Sequence, residues 1–175
     1  MTKTASLLFA FLLTLLVGAC TKTGQVHVTK SLETKLDQFP TVQITATGTT
    51  AKTNRAARKF EKLLGERLKK AGVFEDIESS ASLVMRCKVT HMDFGDELKR
   101  ELSLKGKAKV TIEIRITEPD GSLLGHITAT AQTAKRKDEE PALRVLEMAA
   151  DAVVDYMKER KGTACSAKAD KGSET

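Results

Sequence analysis

Apolar and polar residues alternate over most of four stretches of the chain. In one of them Val110, Ile112 and Ile114 are interleaved with threonine and charged residues. Such alternation is typical of strands that bury one face and leave the other in water. The four stretches are residues 41–47, 82–92, 107–118 and 123–134. They predict a sheet with one apolar face and one polar face.

A tight turn separates the last two stretches. The sequence EPDGS at residues 118–122 contains Pro119, whose ring presets φ, and Gly121, which can adopt a positive φ. We therefore expect residues 107–118 and 123–134 to form a hairpin.

Two other stretches repeat their apolar residues every three or four positions, which is the period of an amphipathic helix. The first ends at Gly72, a residue that commonly stops a helix, and the second begins at Pro141, which a first helical turn tolerates. The apolar positions are Ala56, Phe60, Leu63, Leu64, Leu68 and Ala71 in the first helix, and Leu143, Leu146, Ala150, Val153, Val154 and Met157 in the second.

The predicted order is strand, helix, a short strand near residues 73–77, three longer antiparallel strands and a second helix. One apolar stripe on each helix and one apolar face on the sheet predict an α+β fold. We expect a two-layer sandwich, a mainly antiparallel sheet with two helices packed on one face. The single domain is predicted to span residues 41–160. A tether at residues 20–40, with at most a short strand around Val26 and Val28, precedes it, and a disordered tail at residues 161–175 follows it.

The first residues of the chain have the layout of an export signal. A short start with one positive charge precedes an apolar run from Leu7 to Val17, which is too short for a membrane-spanning helix of about 20 residues. Residues 1–19 are therefore predicted to be a signal peptide. The ending VGAC resembles a bacterial lipobox, in which the cysteine, here Cys20, receives a diacylglycerol thioether and is then acylated at its new amino group.

A lipidated Cys20 predicts a permanent membrane anchor, because two or more acyl chains hold a protein stably. Thr21, rather than Asp, follows the cysteine. By resemblance to enteric-type lipoproteins, this favours the outer membrane. We expect a palmitate-labelled protein of the outer membrane whose domain faces the periplasm.

Composition limits the classes of partner. The chain carries a formal net charge of +6 at pH 7, with no Trp, one Tyr and six Phe. Proteins that bind single-stranded nucleic acid use aromatic side chains on which bases stack. We therefore expect no nucleic-acid partner.

The sequence contains no recognisable catalytic motif. His27, His91 and His126 lie far apart, and the frames of zinc proteases, serine hydrolases and phosphate-binding loops are absent from the sequence. We predict a protein that is not an enzyme and holds no cofactor or metal. The second helix does place four carboxylates at i, i+4 spacing, without the Glu-x-x-His partner of a di-metal site, and they are interpreted as a solvated face. They are Glu147, Asp151, Asp155 and Glu159.

The first helix carries a stripe of cations opposite its apolar side. We call it the helix stripe; it consists of Arg55, Arg58, Lys59, Lys62, Lys69 and Lys70. Two interpretations stay open: a solubilising outer face, or a contact with an acidic partner or an anionic membrane surface.

Two cysteines remain once Cys20 is lipidated, and they allow two outcomes. Export to an oxidising compartment favours a disulfide between Cys87 and Cys165. Cys87, however, has the parity of a core residue, and Cys165 lies in the predicted tail, which favours two free thiols.

The chain resembles a known family in four segments: the helix ending LKKAG, the strand opening LVMRC, the hairpin with its Asp-Gly turn, and the closing amphipathic helix. Together they are similar to the bacterial lipoprotein domain of unknown function numbered forty-four ten, over residues 42–160. Members of that family approach the hairpin through a glycine-rich segment, whereas this chain has only Gly106 there. The resemblance assigns no catalytic residues.

The expected function is therefore that of an outer-membrane lipoprotein whose small periplasmic domain binds a protein partner. It would be an accessory subunit of an envelope transport, secretion or assembly complex that docks through the polar sheet face or an edge strand. The alternative is a structural envelope lipoprotein that assembles with itself.

Overall fold

Six strands form one mixed sheet in the computed structural model, which describes residues 24–93, 107–134 and 141–166. The strands are β1 (Gly24–Lys30), β2 (Thr41–Gly48), β3 (Asp76–Ile77), β4 (Leu83–Asp93), β5 (Lys107–Thr117) and β6 (Leu123–Ala134). Their order across the sheet is β1-β6-β5-β4-β2-β3. The pairs β1–β6, β6–β5 and β5–β4 are antiparallel, and β4–β2 and β2–β3 are parallel.

Two helices, α1 (Ala51–Lys70) and α2 (Pro141–Ser166), pack side by side on one face of this sheet. The core lies between the two layers, where Phe60 and Leu64 of α1 and Val153 of α2 meet Ile112 and Ile114 of β5, all fully buried. The predicted α+β sandwich, with a mainly antiparallel sheet and both helices on one face, is therefore confirmed. Among the described residues, no helix is both long and apolar enough to cross a membrane.

Local signals fix the ends of α1. Thr50 caps its start in a capping box with Thr53, because the side chain of each accepts a hydrogen bond from the other's backbone N–H. Gly72 follows the helix with φ of +66°, a conformation that costs glycine little. The hairpin turn also forms as predicted: Gly121 has φ of +95°, and Asp120 accepts from the backbone N–H of Ser122. This bond and one from the Ser122 hydroxyl lower the pKa of Asp120.

The short strand considered around Val26 and Val28 is present as β1, but residues 24–40 are packed on the domain and do not form a free tether. β1 pairs with β6, and Gly24 lies so close to α2 that an added Cβ would come within 2.5 Å of the Met148 carbonyl oxygen. After β1 the chain crosses the end of the core, where Leu32, Leu36 and Phe39 are buried. The backbone N–H of Leu32 donates to the hydroxyl of Tyr156 on α2, over 3.4 Å. These buried residues are four and three positions apart, but apart from a 3-10 turn at Leu36–Gln38 the backbone between β1 and β2 forms no regular element.

The C-terminal boundary differs as well. Helix α2 continues to Ser166, so the first residues of the predicted tail are helical. Lys161 anchors this end, because its Nζ donates to the backbone oxygens of Gly72, at 2.9 Å, and Val73, at 3.0 Å. The predicted signal peptide, Cys20 and the rest of the tail lie outside the described residues.

Leu36→Ala tests whether residues 31–40 belong to the fold. Because Leu36 is 1% exposed, truncating it should lower the free energy of unfolding by about 2–5 kcal/mol. Gln38→Ala, two residues away at an exposed position, is the matched control and should change stability little. Denaturant unfolding of the chain without its signal peptide measures both variants. Equal stability of the two would show that this segment is a tether after all.

Candidate binding surface on the open sheet face

The face of the sheet opposite the helices is polar, and charged residues from several strands meet on it. Within each strand, buried residues alternate with exposed or half-buried ones, as Cys87 and Val89 do with Arg86 and Lys88 on β4. The strand register then sets which polar side chains are neighbours. This face is a polar surface that the fold builds from distant parts of the chain.

One register row crosses four strands and consists of basic residue types. Arg86 of β4 lies opposite Arg115 of β5, and Arg115 lies opposite His126 of β6. Lys30 of β1 lies opposite His126 on the other side. We call Arg86, Arg115, His126 and Lys30 the sheet row. Thr45 of β2 extends it as the partner of Arg86.

The two arginines of the sheet row face each other without a compensating carboxylate. Neither Arg86 nor Arg115 forms an ion pair within the part of the chain that the structure describes. Like charges directly opposite on a sheet are unfavourable. In the neighbouring row, by contrast, Lys88 lies opposite Glu113. The sheet row thus places two arginines opposite each other at a position where a carboxylate could have formed an ion pair.

Two buried polar atoms close to the row also lack partners. The Nε2 atom of His126 and the Oγ1 atom of Thr117 are buried and form no hydrogen bond within the described residues. Thr117 lies two residues beyond Arg115 on β5 and is 4% exposed. An unpaired buried polar group costs about 1–3 kcal/mol. These two atoms are buried and therefore out of a partner's reach, whereas the side chains of Arg86 and Arg115 are exposed. The two uncompensated arginines make this part of the open face suited to an anionic group.

The helix stripe is on the surface, as its pattern predicted. All six side chains are exposed. Lys62 pairs with Glu66 over 3.9 Å, and Lys69 pairs with Asp76 over 3.0 Å. The bond from Lys69 is the largest cause that lowers the pKa of Asp76. Two of the six cations are thus engaged locally, and the stripe faces away from the sheet row on the opposite side of the domain.

The carboxylate row of α2 is divided by the packing of the helices. Asp151 pairs with Arg67 of α1, and Glu147 lies 3.7 Å from Arg144 on its own helix. Asp155 and Glu159 are exposed. Arg67 lies outside the helix stripe, so the contact between the helices uses a cation that the sequence pattern did not single out.

The three histidines all lie on the open sheet face but in different register rows. His27 is opposite Thr128, and His91 is opposite Thr111, whereas His126 belongs to the sheet row. Among the described residues, no three His, Cys, Asp or Glu side chains are grouped closely enough to hold a metal ion.

Cys87 is buried on β4 between Ala46 and Ile114, its partners on the adjacent strands, and its thiol is free. Burial is the main cause that raises the pKa of this thiol to about 12, and the carboxylate of Glu61 adds to the effect. The thiol therefore stays protonated near neutral pH and is a poor nucleophile. The free state of Cys87 is one of the two outcomes that the sequence left open.

Comparison with known proteins finds similar folds among solved structures but shows no family for this chain. No protein-family model matches the chain, and no curated protein matches it. Among solved structures, the PelC dodecamer from Paraburkholderia phytofirmans is similar, with a TM-score of 0.56 and 13% sequence identity, covering 77% of this chain and 98% of that chain. The resemblance to the domain numbered forty-four ten therefore stays a prediction.

Two further structures share the fold. A protein from Xanthomonas campestris assigned to DUF330 has a TM-score of 0.51 and 11% identity, covering 74% of this chain and 89% of that chain. A minor lipoprotein from Acinetobacter baumannii has a TM-score of 0.50 and 17% identity, covering 69% and 92%. At such low identity, these likenesses show the architecture alone.

Arg86→Gln and Lys88→Gln form a matched pair that tests the charge arrangement of the open face. Arg86→Gln removes repulsion from Arg115 and should raise stability, whereas Lys88→Gln removes an attraction to Glu113 and should lower it. Each effect should be about 0.2–1 kcal/mol and should shrink as salt is added. Thermal unfolding at low and high salt measures both. A loss of stability in Arg86→Gln would mean that this arginine has a partner on the open face.

Thiol labelling tests the state of Cys87. In the native protein at about pH 8, a water-soluble maleimide should leave Cys87 unmodified, because the thiol is buried and protonated. Unfolding without reductant should expose it, and mass spectrometry of its peptide should then show the adduct. If the adduct forms only after a reductant is added, Cys87 is in a disulfide in solution, which would contradict the free thiol. The raised pKa of Cys87 also makes stability depend on pH. Above about pH 9 the Cys87 thiol ionises in the unfolded chain but stays protonated in the native protein, so the free energy of unfolding should fall as the pH rises toward 12.

Proposed function

We propose that the chain is a bacterial envelope lipoprotein, anchored through Cys20, whose domain binds a protein partner through the open sheet face. It is not an enzyme in this proposal. The location is the outer membrane, with the domain on the periplasmic side, and the role is that of an accessory subunit in an envelope transport, secretion or assembly complex.

Two features support the lipoprotein part of the proposal. The sequence VGAC closes an apolar run of signal-peptide length. In addition, the domain shares its architecture with a minor lipoprotein of Acinetobacter baumannii.

The sheet row is the observation that carries the binding part. A sheet face built only for solubility would gain stability by placing a carboxylate opposite an arginine. Here Arg86 and Arg115 face each other, and both side chains are exposed. Groups that are unfavourable in the free domain become favourable when a partner brings carboxylates or other acceptors to them. The partner surface is therefore acidic.

A second candidate is assembly of the chain with itself. It is favoured by the similar structure of PelC, which is a dodecamer, and by β1, which lies at an edge of the described sheet. Val28 on this strand is 45% exposed. An unpaired edge strand is a natural site for strand addition by another chain.

Site-specific photo-crosslinking in cells separates the two candidates. A photo-reactive residue at Thr45, exposed at the end of the sheet row, should form a discrete adduct with a different envelope protein. The same probe at Lys62, exposed on the opposite side of the domain, is the matched control and should form none. Cys20→Ala should abolish palmitate labelling and weaken the Thr45 adduct, because the domain is then no longer held at the membrane.

Other results would overturn the proposal. An adduct of twice the chain's mass would support self-assembly instead. An adduct from Lys62 alone would move the binding surface to the helix side. Absence of palmitate from the wild-type protein would remove the lipoprotein assignment.

A further inference from the structure

The structure fixes how far the domain can lie from the anchored residue. β1 begins at Gly24 and is held by β6 and α2. Only residues 21–23 separate Gly24 from Cys20. At full extension, four residue steps span about 14 Å. If Cys20 carries lipid, as the proposed function holds, Gly24 lies within this distance of the anchored residue.

The strand register shows which end of the sheet Gly24 belongs to. Gly24 lies opposite Ala131 of β6, Ala131 opposite Val110 of β5, and Val110 opposite Met92 of β4. The same end therefore contains the end of β4, the start of β5 and the end of β6. β2 also runs toward this end, because it is parallel to β4. We call this the Gly24 end.

Both helices begin at the Gly24 end and run away from it. The start of α1 is fixed there by the backbone N–H of Gly48, which donates to Oδ1 of Asn54 over 2.7 Å. α2 passes Gly24 at Met148 and reaches the opposite end, where Lys161 contacts Gly72 and Val73. Since α2 starts at Pro141, about 10 Å of helix extends beyond Met148 on the Gly24 side.

Charge differs between the two ends. Among the described residues, the acidic side chains near the Gly24 end are Asp93 and Glu147, and the basic ones there are Lys52, Arg55, Lys109 and Arg144. The opposite end mixes its lysines with many carboxylates: Glu33, Asp37, Glu75, Asp76, Glu78, Glu118 and Asp120. Over the described residues, the Gly24 end is thus the more positive one, which suits the phosphates of lipid headgroups.

We propose that the Gly24 end rests on the phospholipid headgroups of the membrane that holds the Cys20 lipid, with both helices directed away from the bilayer. While β1 stays paired, the short connection keeps the opposite end of the domain from resting on the headgroups, and the positive charge of the described residues favours the Gly24 end. The helix stripe then cannot lie flat on the membrane. Arg55 lies near the bilayer, whereas Lys70, fifteen positions later, is about 22 Å farther along α1.

The same orientation places the sheet row in reach of a soluble or neighbouring partner. Arg115 lies five residues beyond Val110 on β5, which is about 16 Å farther from the bilayer. The open sheet face stands upright on the membrane in this arrangement, and the sheet row lies above the headgroups.

Depth-dependent fluorescence quenching tests the orientation in the full-length acylated protein. Thr49→Cys and Ser79→Cys place a dye at exposed positions near the Gly24 end and the opposite end, both on the β2 side of the sheet. Cys165→Ser prevents labelling at residue 165, and Cys87 is buried. The protein is reconstituted in vesicles of phosphatidylethanolamine and phosphatidylglycerol that contain a headgroup-linked nitroxide lipid.

We expect several-fold stronger quenching of the Thr49 dye than of the Ser79 dye. Equal quenching, or stronger quenching at Ser79, would overturn the orientation. A long Gly/Ser insertion between Thr23 and Gly24 should reduce quenching at Thr49 without releasing the protein from vesicles. Undiminished quenching after the insertion would overturn the argument from the short connection.

Two charge variants of α1 test the contribution of the headgroups. Arg55→Glu should reduce quenching of the Thr49 dye, whereas Lys70→Glu, the matched control at the far end of the same stripe, should not. Equal effects would overturn the role of charge at the Gly24 end. Circular dichroism and vesicle flotation of each variant check folding and anchoring. Flotation without the expected quenching contradicts the orientation alone, whereas absence of palmitate from the wild type contradicts the proposed function.

Discussion

The apolar face of the sheet has to be shielded from water. Within the described residues, two helices that lie side by side cover this face. This constraint explains most of the architecture. Ile112 and Ile114 of β5 occupy the middle of the sheet and are fully buried beneath the helices. At the surface, an ion pair between Arg67 of α1 and Asp151 of α2 connects the two helices. With both helices committed to one face, the other face is free to carry polar and charged groups.

Regular patterns in the sequence were sufficient for most of the fold. The strands β4, β5 and β6 and both helices follow from the spacing of their apolar residues, and Gly72 and Gly121 take the positive φ values that their positions suggested. β1 was indicated only as a short strand around Val26 and Val28, because it is an edge strand whose Val28 is half exposed and which therefore lacks a strong apolar parity. Leu32 and Leu36 are buried although only a 3-10 turn at Leu36–Gln38 forms in this segment, and the surrounding residues are too polar for their spacing to predict a helix.

The sheet row could not be predicted from the sequence because its members are brought together only by strand register. Arg86, Arg115 and His126 each follow the polar parity of their own strand, and in the sequence each looks like an ordinary solvent-facing residue. The helix stripe, by contrast, is local and was visible from helical spacing alone. A pattern within one element reveals a surface, whereas the register between elements reveals which groups on that surface are neighbours.

Pairing between the first and last strands also has a consequence for folding. Gly24 and Ala131 are partners although about a hundred residues separate them, so closing this contact carries a large loop-closure entropy. During synthesis and export β1 emerges first, yet its only strand partner in the described sheet is β6, the last strand to appear. The beginning of the domain therefore stays unpaired until nearly the whole chain has been delivered. Any enzyme that acts next to β1 during that interval therefore meets β1 as a strand without its partner.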